Sequence, residues 1–183
     1  AKPLINSDVV GQDSTLAIPY RDKIFWIWGD TLRLRKPLGN FQVTAATSVF
    51  PEQGGLDPWQ GIDLTYFIDA DGRFVKKMAP QESVPGPGAC WLLNLTTLGS
   101  GAAQELYAFY GRFKSLQVQR KGLAKYNAST EVFETLLELP ADALIPNGQS
   151  FVQAGDNHVY YGNRFIKSNW STIYFSSILG ASS

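Results

Sequence analysis

The chain has 183 residues, and its 16 Lys plus Arg offset 16 Asp plus Glu, so the formal net charge is zero. That balance offers no global field for nucleic acid or an anionic membrane, and no apolar run approaches the roughly 20 residues of a spanning helix. The single cysteine, Cys90, excludes an internal disulfide framework, and the single histidine, His158, excludes a multi-histidine zinc site. No phosphate-cradling glycine loop, metal-ligand cluster or nucleophile elbow occurs, so neither a cofactor nor a metal is expected. Charged residues reach only 17% while aromatics reach 13%, a balance suited to β-rich folds and sugar-facing surfaces.

Short β-type runs separated by Gly, Pro and Asp follow one another, and no long stretch carries a helical period. Strands are expected over 15–20, 24–29, 42–50, 62–68, 73–78, 91–96, 106–111, 117–126, 132–139, 150–153 and 159–162. Asp69-Ala70-Asp71-Gly72 and Gly155-Asp156-Asn157 read as hairpin turns, because Asp, Asn and Gly tolerate positive φ. The stretch 80–88, with Pro85-Gly86-Pro87-Gly88, breaks the chain between units. Cys90 lies in the apolar run Ala89-Cys90-Trp91-Leu92-Leu93 and reads as a buried thiol.

An internal repeat organises these strands. A Gly-led segment, followed by an aromatic strand ending in Gly plus a polar residue, occurs three times. The copies are Gly11-Gln12-Asp13-Ser14 with Phe25-Trp26-Ile27-Trp28-Gly29-Asp30, Gly88-Ala89-Cys90-Trp91 with Tyr107-Ala108-Phe109-Tyr110-Gly111-Arg112, and Gly148-Gln149-Ser150-Phe151 with Val159-Tyr160-Tyr161-Gly162-Asn163. Repeated four-stranded antiparallel units are the signature of β-propeller blades. The whole of 1–183 is therefore expected to be one partial propeller domain, with blades starting near 11, 88 and 148. A propeller needs about four to eight blades, so missing sequence or another chain is expected to supply the rest. A β-sandwich would explain the strands but not the periodic aromatic-Gly-polar ending.

The repeat aligns Asp30, Arg112 and Asn163, and it aligns Asp13, Cys90 and Ser150. A turn at Tyr20-Arg21-Asp22-Lys23 pairs residues whose numbers sum to 43 or 44, which sets Asp13 across from Asp30 or Thr31. Directly opposed same-face residues have Cβ atoms about 4.5–5.5 Å apart. Two carboxylates that close repel, which raises one pKa and favours its protonated form. An acid beside an ionised carboxylate is what glycoside hydrolysis requires. Asp13 and Asp30 are thus the candidate catalytic pair, with Arg112 and Asn163 as candidates for positioning sugar hydroxyls. Trp26 and Trp28 are expected to pack between sheets. Trp59, in the loop Asp57-Pro58-Trp59-Gln60-Gly61, is the better platform for a sugar ring.

Gly11-Gln12-Asp13-Ser14-Thr15-Leu16-Ala17-Ile18-Pro19 followed by Phe25-Trp26-Ile27-Trp28-Gly29-Asp30-Thr31 resembles the opening of a five-bladed β-propeller glycoside-hydrolase family that includes endo-D-arabinanases. The family pattern is Gly-x-Asp-x-x-x-Ser-Ile-Pro, then apolar-Trp-apolar-Phe-Gly-Asp-Thr; here Ala17 replaces the Ser and Trp28 the Phe. Gly122-Leu123-Ala124-Lys125-Tyr126 with Phe133-Glu134, and Gly148-Gln149-Ser150-Phe151 with Tyr160-Tyr161-Gly162-Asn163, are also similar to it. Relatives usually read Gly-His-Pro-Phe in the latter, so Gln149 stands at a position the resemblance assigns to substrate binding. The resemblance implies a hydrolase acting on a polysaccharide through Asp13 and Asp30. The later general-acid Glu of better-known five-bladed glycosidases has no counterpart here. A non-catalytic glycan-binding or interaction propeller is the alternative. Sequons at Asn94, Asn127 and Asn169 point to a secreted, glycosylated protein outside the cell.

Overall fold

In the computed structural model the described residues are 6–34, 43–80, 84–140, 142–143, 145, 148–153 and 159–161, the last two stretches by backbone alone. They form strands β1 (Val9–Gln12), β2 (Leu16–Tyr20), β3 (Lys23–Trp28), β4 (Thr31–Arg33), β5 (Thr44–Val49), β6 (Thr65–Tyr66), β7 (Ala89–Leu92), β8 (Asn94–Leu98), β9 (Glu105–Lys114), β10 (Gln117–Asn127), β11 (Val132–Leu139), β12 (Gly148–Gln153) and β13 (Val159–Tyr161). The only helical segments among them are 3₁₀ turns at Pro51–Gln53 and Gly101–Ala103. The fold is all-β with antiparallel sheets, and the described strands close into neither a barrel nor a propeller.

Two four-stranded meanders make up most of it. In the first, β2, β3, β5 and β6 are paired in that order, while β1 and β4 continue the β2–β3 hairpin as a separate pair. In the second, β9 pairs with β10 and β10 with β11, and β7 and β8 both pair with β9 as one strand interrupted at Leu93. Leu93 stays attached there through its N–H to the Phe109 carbonyl, 2.8 Å away. A third unit begins where β12 runs parallel to β8 and pairs with β13.

Alternation along β3 explains how the sheets meet. Phe25 and Ile27 are each 1% exposed and enter the core, whereas Ile24 and Trp26 lie on the opposite face, half-buried. Across the core the Phe25 ring meets Tyr126 at 5.1 Å and Phe133 at 6.2 Å, edge to face, with Tyr20 and Phe67 beside it. Cys90 is fully buried in the same cluster, and burial pushes its thiol up to about 11.

Several elements differ from the sequence reading. Strands β1 and β4 are additional, and 73–78 is no strand. Val75 makes only an isolated bridge to Ile68. Beyond it the segment crosses between the sheets, with Met78 N–H on the Val43 carbonyl and Phe133 N–H on the Met78 carbonyl, both at 2.9 Å. A chain that bonds alternately to two sheets has no continuous ladder. The Asp69–Gly72 turn forms, with Gly72 at φ 70°, whereas Gly155-Asp156-Asn157 lies outside the described residues.

Phe25→Ala removes the ring that joins the two meanders and should cost about 3–5 kcal/mol by chemical denaturation, as aromatic truncation in a tight core does. Gly122→Ala should also destabilise, because its Cβ would stand 2.1 Å from the Leu137 carbonyl oxygen. Wild-type stability in either variant would contradict this packing.

Candidate functional site

The first hairpin has a regular ladder at both ends and an irregular middle. Leu16 faces Ile27 and Gln12 faces Thr31, both summing to 43. Between them Ser14 takes a left-handed φ of 52°, a conformation uncommon for a residue with a Cβ. The strands stay joined because Asp13 N–H donates to the Asp30 carbonyl at 3.1 Å and Gly29 N–H to the Asp13 carbonyl at 2.9 Å. Asp13 and Asp30 are therefore opposite each other at this break. The Asp30 N–H also donates to Asp13 Oδ1 at 2.9 Å. Gly29 is required by close approach, since a Cβ there would stand 2.9 Å from Asp13 Oδ1.

A polar network anchors this end of the hairpin to the first sheet. Gln12 Nε2 donates to Thr44 Oγ1 at 3.0 Å, the Thr31 and Thr44 hydroxyls share a hydrogen at 2.7 Å, and Tyr66 OH donates to Gln12 Oε1 at 2.7 Å. Thr31 and Thr44 are fully buried, so these bonds offset the loss of water that burial imposes.

The second meander contributes Trp91, whose Nε1–H donates to Asp30 Oδ1 at 3.1 Å. Beside the pair lies a cleft of about 300 Å³, lined by Ser14, Thr15, Leu16, Gly29 and the 91–93 segment. Asp30 is half-buried and Asp13 exposed. Burial raises the Asp30 pKa above the ordinary carboxylate value; the Trp91 hydrogen bond opposes that rise and the Asp13 charge adds to it. The arrangement can hold a proton on one carboxyl beside a second, more exposed one.

The remaining sequence candidates do not converge here. Arg112 does face Cys90, the register position matching Asp30 across from Asp13. It is, however, only 3% exposed, and its Nη1 donates to the Gly86 and Gly88 carbonyls at 2.9 and 2.7 Å. The guanidinium thus ties β9 to the 84–88 segment. Trp59 is 97% exposed but sits on the loop after β5, whose Pro58 and Ile62 share a cleft with Lys23 at the far end of β3. Asn94 is fully buried, with Oδ1 accepting from Phe109 N–H, a setting that leaves no room for a glycan in the folded chain. Asn127 is partly exposed in the β10–β11 turn. Gln149 lies on β12, where only the backbone is described; Asn163, Asn169 and His158 are outside the described residues. Ser150 faces Tyr161.

Sequence reasoning missed Trp91 as a partner of the pair. Its place in the Gly-led repeat was visible, opposite Gly111, but its reach into the other meander depends on how the sheets pack. No protein-family model, curated protein or solved structure matches this chain.

The Asp30 environment predicts a pH signature. Its folded pKa lies above the ordinary carboxylate value, so its contribution to wild-type stability is fullest below that ordinary value and is lost as pH rises through the folded pKa. Asp30→Asn keeps an acceptor for Trp91 and has no such loss. Melts from pH 3 to 7 should show the variant gaining on wild type as pH rises; a gap that widens the other way would refute the assignment.

Proposed function

We propose that the protein is a propeller-type glycoside hydrolase that acts on a polysaccharide outside the cell. The observation that carries this reading is the pairing of Asp13 with Asp30 at a strained break beside an open cleft, with an indole from the other sheet on one carboxylate. Asp30, whose proton is favoured by burial and by its neighbour's charge, serves as the acid. Asp13, more exposed, serves as base or nucleophile, and the structure leaves retention or inversion of configuration open between those two roles.

Support for the propeller comes from the equivalence of the two meanders. Each has a first strand interrupted at its middle, with Gly29 facing the break in one, and Phe109 facing the break at Leu93 in the other, two residues before Gly111. The first strands β8 and β12 run parallel, as successive inner strands of blades do. Further blades would come from additional sequence or a second chain. A second reading, a glycan-binding or interaction propeller, is favoured by one observation: Asp13 Oδ1 already accepts from the hairpin's own backbone.

Hydrolysis of a polysaccharide panel, followed by reducing-sugar release, separates the two. Asp13→Asn and Asp30→Asn should each lower the rate by about 10²–10⁴, the usual worth of an acid or base group, while thermal melts show both folded. Undiminished rates in both folded variants would remove the pair from the mechanism. In a protein made through a eukaryotic secretory route, mass spectrometry should find a glycan at Asn127 and none at Asn94; the reverse pattern would contradict the burial described above.

A further inference from the structure

We propose a second, non-catalytic carbohydrate-binding cleft at the opposite end of β3, formed by the β3–β5 face and the loop over 51–63. It rests on the carbohydrate reading for the class of its ligand, but not on the Asp pair. The cleft measures about 370 Å³, within the range of small-molecule sites. Ile24, Trp26, Pro58 and Ile62 give it apolar walls, and Lys23 and Ser48 add polar groups.

Its aromatic wall is held rigid. The Trp26 ring stacks on Trp28 at 6.4 Å and 11° between planes, and Trp26 Nε1–H donates to Ser48 Oγ at 2.9 Å. Trp28 is buried, whereas Trp26 stays partly exposed toward the cleft. A second indole stands outside the walls, next in sequence to Pro58, which does line the cleft. Trp59 is 97% exposed, held at the loop tip by its N–H on Asp57 Oδ1 at 2.8 Å. Gly54 at φ 96° and Gly61 at φ 122° provide the turns on either side, backbone that glycine adopts without strain.

The chemistry of the walls selects the ligand. Lys23 and Asp63 both line the cleft, so neither sign of charge dominates and an anionic ligand gains no field. The Trp26 indole, with the Thr47, Ser48 and Thr65 side chains around it, suits a neutral sugar segment, whose ring has an apolar C–H face and a polar edge. Lys23 and Asp30 end the same strand run, and at about 3.3 Å per residue they stand about 20 Å apart. The cleft therefore cannot hold the bond being cut. It would hold another stretch of the same polymer, raising the local concentration of substrate through a second point of attachment.

The test is affinity electrophoresis in gels containing soluble xylan, arabinan or mixed-linkage β-glucan, with calorimetry on the hexasaccharide of the polymer that retards most. Wild type should be retarded by at least one, Trp59→Ala should bind about tenfold more weakly, and Trp59→Phe should retain most of the affinity. Unchanged retardation of Trp59→Ala, or none for wild type in any gel, would overturn the proposal. So would a Trp59→Ala protein that sediments as a smaller species than wild type, since a second copy would then occupy the cleft. The Asp13→Asn/Asp30→Asn double variant keeps the two readings apart. Trp59-dependent retardation with no hydrolysis in any form leaves the cleft standing and removes the hydrolase, and hydrolysis lost only with the Asp pair does the converse.

Discussion

The meeting of Phe25 with Tyr126 and Phe133 is the contact on which the candidate site depends. Asp30 belongs to the first meander and Trp91 to the second, so the hydrogen bond between them exists only while the two sheets hold a fixed relation. Edge-to-face aromatic contacts fix that relation more sharply than aliphatic packing, because each ring admits few orientations around its neighbour. The rings lie on the buried face of β3, whose alternate residues build the outer face. One strand thus carries the clamp on one side and the indole stack on the other.

Backbone strain is concentrated where the carboxylates are. Ser14 adopts a left-handed conformation that costs of the order of 1–3 kcal/mol and persists only when its surroundings over-determine it. Here the surroundings are the two backbone bonds linking Asp13 to Gly29 and Asp30, and the buried Gln12–Thr31–Thr44 network beneath them. A regular hairpin would have needed none of this. The break exposes Asp13 while leaving Asp30 half-covered, and burial raises the Asp30 pKa. Gly29 completes the arrangement by leaving room for a carboxylate oxygen where any other residue would place a Cβ.

Much of this was legible in the sequence, for identifiable reasons. The register of the first hairpin follows from a turn at Arg21-Asp22 and the period of two along β3, so the opposition of Asp13 and Asp30 could be counted. The three-copy ending in aromatic-Gly-polar marked Gly29, which faces the break in the first hairpin, and Gly111, which lies opposite Trp91 in the second meander. What could not be counted was side-chain fate. Arg112 shares a repeat position with Asp30, yet a neighbouring loop rich in Gly and Pro folds back and supplies carbonyls for it. Asn94 matches a glycosylation triplet, yet its amide replaces a backbone carbonyl within the broken first strand of the second meander. Strands β1 and β4 were missed because Gly11 and the Asp13–Thr15 break interrupt any alternation long enough to detect.

The two ends of β3 differ in how much of the fold's stability is invested in them. At the Asp30 end the chain uses strain and buried polar bonds to hold two carboxylates opposite each other, one exposed and one half-covered. At the Lys23 end, β6 begins only at Thr65, so the loop over 51–63 runs beside β5 without strand pairing and carries an indole wholly into solvent. Exposing an indole gains nothing for folding, because the same ring buried would contribute favourable transfer energy. The burial that would stabilise the fold is left unused at Trp59, whereas Trp28, two residues from Asp30, is packed away. Between these two ends the same strand buries Phe25 and Ile27, so both the exposed ring's loop and the half-covered carboxylate are referred to one rigid core.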